Sequence, residues 1–507
     1  MLKRALGVSV IIGVAAALLS NCGGSSTTPP APGNGTLASF VGDSPLCDVL
    51  AFRATISGVT VTHAGASNTT NVLNPNTTSI KVEFASLRDF STILNFAAIP
   101  AGSYDKMTFS LSFAQIVVYD PTQSPPIRTV TVTLSNNKPV VPISPALTVT
   151  ANKVSAVQVD FNLRQSIQLD STGQVTGAVT PALTVTPVVA AGSQGFGEMD
   201  DVQGFVTRVD TFSSNTSFTG DFALQLLGGG SGGQPSVVVD LTSNTTLCGP
   251  APATDQACAP LPLNQLLTGS FAEVDGFLDS NGNFVANTAE IEDQEVVENN
   301  QIALLGYVIS VTRDASGNLT QFSFYVREEQ PDDEFGITLD NVVDVNVTSS
   351  TIYQYSSRST NSASLPFDST SINVGQELVV HGVFTKPPTP PAGQTAPPTT
   401  VAPDRIYLKL QTDDGNFASL IQAGSDDKAG AFNFTPCATM FQGAPMMVVT
   451  SSQTTFVNVA GLNELTAQHS LLVKGLLFFE PQATTVNGVS VPAGTWVMLA
   501  KQVHQLI

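Results

Sequence analysis

Val239-Asp240-Leu241-Thr242-Ser243-Asn244-Thr245-Thr246-Leu247 returns as Val345-Asn346-Val347-Thr348-Ser349-Ser350-Thr351-Ile352-Tyr353, and again as Val449-Thr450-Ser451-Ser452-Gln453-Thr454-Thr455-Phe456. Each copy is a β-branched run, a Thr/Ser turn and a second run, the pattern of a strand entering a tight turn. The period is roughly 100 residues, longer than a solenoid unit and close to a whole small domain.

Two further blocks keep the same period. Gly204-Phe205-Val206-Thr207-Arg208-Val209 recurs as Gly306-Tyr307-Val308-Ile309-Ser310-Val311. Val274-Asp275-Gly276-Phe277-Leu278 recurs as Val380-His381-Gly382-Val383-Phe384 and Val473-Lys474-Gly475-Leu476-Leu477. The glycine inside this last block interrupts a strand, which predicts a bulge or sharp bend of the kind that closes small barrels. The hairpin after it varies freely: Asp279 to Asn283, then a proline-rich excursion from Lys386 to Pro403, then Pro481 to Pro492. Such variation suits a solvent-facing loop, whose closure cost grows slowly with length. Three copies of one β module therefore occupy 202–294, 302–412 and 414–507. The third is the most divergent, with Asn416-Phe417-Ala418 where a glycine-aromatic opening is expected.

Upstream, alternating runs such as Ala51 to Ile56, Val59 to Thr62, Lys106 to Ile116, Thr129 to Leu134, Ala156 to Phe161 and Ala182 to Val188 read as strands with one buried face. One or two helical turns are expected at Leu87 to Leu94, where Leu87, Phe90 and Leu94 share a face. The expectation is an all-β chain: an N-terminal antiparallel β-sandwich over 37–192, a linker from Ser193 to Asp201, and three small β-barrel-like modules, for which an OB-like barrel is one form.

The 507 residues carry a formal net charge of -20, with 12% charged and 42% hydrophobic residues. That balance excludes nucleic acid as a partner, since phosphate binding relies on Lys and Arg. It also describes a cored protein rather than an acidic disordered tail.

Lys3 and Arg4, the apolar run Ala5 to Leu19, and Leu19-Ser20-Asn21-Cys22 have the layout of an export signal. A Gly/Ser/Thr/Pro/Ala/Asn stretch over 23–36 follows as a flexible tether. The segment 1–22 resembles the signal peptide and lipobox of bacterial lipoproteins, with Asn21 standing where that pattern has a small residue. The resemblance implies lipid on Cys22 and a location in the cell envelope, at the outer membrane, with the membrane reached through the anchor.

Five cysteines are present. Cys248 and Cys258, close together in a Pro/Ala-rich loop, form the candidate disulfide, and closing so short a loop contributes about 2–3 kcal/mol. Pairing of Cys47 with Cys437 requires two distant domains to touch, so they are read as free buried thiols.

Gly42-Asp43-Ser44-Pro45, the strands around Ser57-Gly58-Val59, Ile99-Pro100-Ala101-Gly102-Ser103-Tyr104 and the closing strands Val159-Asp160-Phe161 and Leu183 to Val188 resemble the domain family DUF4382. The repeats, with a glycine-valine opening, a Thr/Ser turn and a V-x-G-x-hydrophobic strand, resemble the family DUF5666. Neither resemblance implies a reaction or catalytic residues.

Candidate chemistry is sparse. Gly229-Gly230-Ser231-Gly232-Gly233 has the form of a nucleophile elbow but not its strand-to-helix context. His63, His381, His469 and His504 have no zinc-ligand spacing, and His381 shares its repeat position with Asp275 and Lys474, as a surface residue would. Asp279, Asn281, Asn283 and Glu290 have the one, three, five and twelve spacing of a calcium loop, but Phe284 replaces the required glycine, so a hairpin turn is the stronger reading. Glu328, Glu329, Asp332, Asp333 and Glu334 read as a hydrated charge run. One Trp against 28 Phe favours core packing over a sugar-binding platform.

The expected function is a non-enzymatic, lipid-anchored envelope protein whose β modules form a binding or structural array for an envelope protein or glycan. No cofactor is expected, with calcium as the one candidate. The alternatives are a hydrolase or carbohydrate-processing accessory with an inter-domain carboxylate site, and a calcium-dependent adhesion protein.

Overall fold

A computed structural model describes residues 33–44, 46–73, 79–87, 92–190, 195–212, 217–226, 236–249, 259–293, 301–330, 341–355, 365–385, 399–424, 426–441 and 446–506. Strands dominate, and helix among these residues is confined to single turns such as Leu163–Ser166. The segment 1–22 read as an export signal, with Cys22, and likewise Cys258 and the Gly229 to Gly233 run lie outside the described residues.

The N-terminal unit is one long sheet folded over a shared strand. Its path runs Thr69–Asn71, Val49–His63, Gly102–Tyr119, Val140–Val149, Leu183–Val188, Val154–Asn162, Asn34–Ser44 and Thr92–Pro100. Val140–Val149 pairs with Gly102–Tyr119 on one side and, through Ile143, with Val185 on the other. The two halves face each other across a common core. Phe52 and Phe109 come from one half and Leu37, Val159 and Phe161 from the other, and the Phe52 and Phe161 rings lie 5.2 Å apart.

This is the expected sandwich with two corrections to its strands. It is not wholly antiparallel: Asn34–Ser44 runs parallel to Val154–Asn162 from Thr36↔Val154 to Ser44↔Asn162. Alternation sets which face is buried and is silent on strand direction. Asn34–Ser44 also begins inside the expected tether, because Asn34 and Gly35 pair with Pro100 and Ile99. Of the span Leu87 to Leu94, where helical turns are expected, 92–94 are strand instead. A short 3-10 turn lies at Phe84–Ser86, a strand starts at Thr92, and 88–91 lie outside the described residues.

Each module is a closed five-stranded barrel. In the first, Glu198–Thr211 pairs with Gly220–Leu226 and Phe271–Leu278; Gly220–Leu226 pairs with Ser236–Leu241; and Phe284–Asp293 closes the ring, antiparallel to Phe271–Leu278 and parallel to Ser236–Leu241. The same connectivity joins Gln301–Arg313, Leu319–Gln330, Val342–Asn346, Glu377–Thr385 and Thr399–Leu408. It recurs in Leu410–Ala423, Gly430–Pro436, Met446–Thr450, Ser470–Glu480 and Thr495–Gln505. Strand order 1-2-3-5-4-1 with strands three and five parallel is the OB barrel.

The repeated residues explain the closure. The ladder slips by one residue at Asp275/Gly276, at His381/Gly382 and at Lys474/Gly475. At each of these glycines a Cβ would strike the facing carbonyl oxygen, of Val285, Ala402 and Leu499. A second glycine sits on strand one at Gly204, Gly306 and Gly415, where a Cβ would strike the carbonyls of Gln225, Tyr325 and Thr435. The third module therefore keeps its opening glycine, one residue before Asn416.

The Thr/Ser block is a hydrogen-bonded turn. The Thr245, Thr351 and Thr454 hydroxyls accept from the backbone N–H of Thr242 at 2.9 Å, Thr348 at 3.1 Å and Ser451 at 2.9 Å. Each then donates to a carbonyl on the last barrel strand, that of Ala286, Pro403 or Ala500. One hydroxyl thus pins the turn and joins it to the closing strand.

Module edges differ from the sequence estimates. The second barrel ends at Leu408 and the third starts at Leu410. Glu198–Thr211 extends back into the expected linker. The units are packed together: Ala38, Phe40 and Ala156 of the sandwich join the first module's core, and a single cluster spans modules two and three through Leu408, Val449, Phe478 and Leu499.

Candidate functional site

Charged side chains stand where apolar strands end, and the fold gathers them between units. Arg327 closes the run Phe322 to Val326 and is 5% exposed. Its guanidinium meets Glu377 at 2.5 Å within its own barrel and Glu83 of the sandwich at 3.7 Å. Arg53 of the sandwich donates to the Arg327 carbonyl at 3.1 Å. Burial pushes the Glu83 carboxyl above its usual range, against the pull of Arg327 and the N–H groups of Phe52 and Ala85. Beside this cluster Leu50, Ala51 and Val117 cover Tyr307, Ile309 and Tyr325. These three lie on the first two strands of the second barrel, so the sandwich covers part of that barrel's wall.

The other units are clamped in the same way. Lys409 pairs with Glu273 of module one, Lys501 with Asp275 at 3.6 Å, and Arg164 of the sandwich with Asp414 of module three. Thr439 donates its N–H and its hydroxyl to Asp48 Oδ1 at 2.6 and 2.8 Å. Next to that contact Cys47 is bonded to Cys437, with Cα atoms 5.6 Å apart. The reading of these two as free thiols is overturned, because the sandwich and the third module touch there. Asp414 lies close enough to both sulfurs to form a metal-like triplet, but sulfurs bonded to each other are not thiolate ligands.

Cys248 is buried and disulfide-bonded; Cys258 is outside the described residues. Asp279 Oδ1 accepts the N–H groups of Asn281 and Asn283 at 2.8 Å each, an Asx turn capping the hairpin. Glu290 lies beside Glu273 and Cys248 in the sheet, six residues along the strand from Phe284 and therefore ~20 Å from the tip. The four calcium candidates are not brought together. Burial, with Asp221 and Asp279 nearby, pushes Asp240 up to about 7.

The repeat position of His381 is not at the surface. His381 is 3% and Lys474 1% exposed, and the His381 ring meets Tyr407 edge-on at 5.5 Å. The residue before the bulge meets a different partner in the first two copies, Lys501 for Asp275 and Tyr407 for His381. His63 stacks on Tyr104 at 4.3 Å, and His504 Nε2 lies 3.2 Å from Asn458 Nδ2. Of the charge run at 328–334, Glu329 is buried, and 332–334 lie outside the described residues.

One group was missed by sequence reasoning altogether. At the junction of modules two and three, Tyr353, Tyr355, Phe367 and Phe478 form a chain of edge-on rings 5.6 to 6.4 Å apart. Glu480, at the end of the strand carrying Phe478, is 6% exposed and pairs across the ladder with Thr495. Burial and the neighbouring Asp368 charge push Glu480 up to about 7. Burial and the same Asp368 charge raise Tyr353 to about 12. The available signal was a lone carboxylate closing Leu476-Leu477-Phe478-Phe479.

Residues 34–176 match the model of a domain of unknown function, DUF4382. The DUF4382 match covers most of the sandwich and stops before its last strands, Val175–Val179 and Leu183–Val188, are complete. No curated protein matches the chain. Among solved structures, the wild-type single-stranded DNA binding protein from Thermus aquaticus aligns with 45% of this chain and 97% of its own, at 14% identity and a TM-score of 0.12. A score that low carries no argument about this chain.

Proposed function

We propose that the protein is an exported, lipid-anchored, non-enzymatic component of the cell envelope, in which a DUF4382-like sandwich and three OB-like barrels form one clasped binding or structural array. The observation that carries this reading is the Cys47–Cys437 disulfide, which joins the first and last units across 390 residues. Persistent disulfides belong to oxidising compartments, in keeping with the signal-like segment ending at Cys22. The array character is supported by the use of charge: Arg327 toward Glu83, Lys409, Arg164 and Lys501 are spent on holding units together. Strands two and three of an OB barrel, with the loops beside them, commonly receive ligand, and in module two the sandwich covers Tyr325 on strand two.

Metabolic labelling with a fatty acid tests the anchor. Label on the wild-type chain, lost in Cys22→Ala, is expected; an unlabelled wild type refutes it. Turnover of ester, glycoside or peptide substrates by the purified protein, abolished by a single carboxylate or serine variant, would refute the non-enzymatic assignment.

A further inference from the structure

We propose that the junction of the second and third barrels is a divalent-cation site, in which Asp368 and Glu480 supply the charge and the hydroxyls of Thr495 and Tyr353 flank it.

The geometry starts from the ladder. Glu480 and Thr495 are the last cross-strand pair of Ser470–Glu480 and Thr495–Gln505. Directly opposed residues share a sheet face with Cβ atoms ~5 Å apart. Both side chains are deeply buried, at 6% and 2% exposure. Glu480 Oε1 and Thr495 Oγ1 have no hydrogen-bond partner among the described residues. A buried carboxylate oxygen left this way is costly unless it is protonated or meets a cation.

Protein cations do not meet it. Arg313 senses the Asp368 charge, yet it donates to the carbonyls of Ser369 at 3.3 Å, Thr370 at 3.3 Å and Ile372 at 2.7 Å. Among the described residues neither Arg nor Lys makes an ion pair with Glu480. Asp368 is held by its own turn, with Oδ1 accepting from the Thr370 N–H at 2.7 Å and hydroxyl at 2.6 Å. Its Oδ2 takes no part in that turn.

Phe367, next to Asp368, packs on Phe478, two residues before Glu480, at 6.4 Å, and Tyr353 packs on Phe367 at 5.9 Å, so module two presents Asp368 and Tyr353 where module three presents Glu480 and Thr495. Two carboxylates with hydroxyl oxygens are a hard donor set, suited to calcium or magnesium rather than to softer metals. A cation there would cancel the Asp368–Glu480 repulsion and tie the two barrels together.

The test is terbium luminescence in the purified protein, sensitised by Tyr353 and by Trp496 beside Thr495, with calcium as competitor. Saturable emission displaced by millimolar calcium is expected, with affinity reduced at least tenfold in Glu480→Gln. Should that variant fail to fold, Asp368→Asn, on an exposed loop, is read in its place. A parallel melt should show calcium raising the wild-type midpoint by a few degrees at tenfold excess over Kd and leaving the variant unmoved. Absence of saturable binding, or identical titrations in wild type and variant, overturns the proposal.

Discussion

Replacing Cys47 and Cys437 together by serine removes the only covalent link between the sandwich and the third barrel among the described residues. The bridge closes a loop of 390 residues, for which chain-entropy reasoning sets a ceiling of about 6 kcal/mol, with measured bridges falling mostly at about 2–5. The contact does not vanish with the bridge. Asp48 still receives two hydrogen bonds from Thr439, and Arg164 still pairs with Asp414. Serine at both positions should therefore leave a folded chain whose N-terminal and third units separate at lower denaturant. The assay is urea unfolding of the oxidised wild type and the double variant, followed by Trp496 fluorescence; Trp496 is the sole tryptophan and packs on Phe441, two residues from Thr439. An earlier transition in the variant, worth about 2–5 kcal/mol, is expected. Coincident curves, or alkylation of Cys437 in protein isolated without reductant from an oxidising compartment, would refute the reasoning.

With chelator present, Glu480→Gln should be more stable than wild type at pH 8 and indistinguishable near pH 4. Burial and Asp368 raise the folded pKa from 4.5 to about 7, so the folded state holds the proton more tightly and wild-type stability falls as pH rises through that window, by at most ~3 kcal/mol; equal melting curves at pH 8 would contradict this. Arg327→Met leaves Glu83 and Glu377 buried without their shared cation, and a loss of about 3–5 kcal/mol is expected in chemical denaturation; a loss under 1 kcal/mol would show the cluster to be solvated. Gly475→Ala drives a methyl into the Leu499 carbonyl and should cost about 1–3 kcal/mol, read as a lower melting midpoint. Thr454→Val removes the hydroxyl that joins Ser451 to Ala500 and should cost about 1–3 kcal/mol, with faster hydrogen exchange at Ser451 as its local signature.

The barrels were legible because their closure relies on residue types that leave a mark in sequence. Only glycine tolerates the carbonyl approach at Gly276, Gly382 and Gly475, and only a short hydroxylic side chain can bond both ways at Thr245, Thr351 and Thr454. The contacts between units left no such mark. Cys47 and Cys437 say nothing of each other from 390 residues apart, and a parallel strand pair alternates like an antiparallel one. His381 was misread for the same reason. Variation among Asp275, His381 and Lys474 resembles surface drift, whereas Asp275 answers Lys501, His381 answers Tyr407 and Lys474 is buried.

The position of the disulfide fixes how the molecule carries tension. A chain pulled at its N-terminal end, as an anchored one is, transmits load into Asn34–Ser44, a strand flanked on both sides by Thr92–Pro100 and Val154–Asn162. Three residues beyond Ser44, Cys47 hands that load to Cys437. Force drawn toward the C-terminus then follows the third barrel, and the sequence between the two cysteines is short-circuited. The first two barrels lie outside this covalent path and meet it only through their non-covalent contacts with the sandwich and the third barrel.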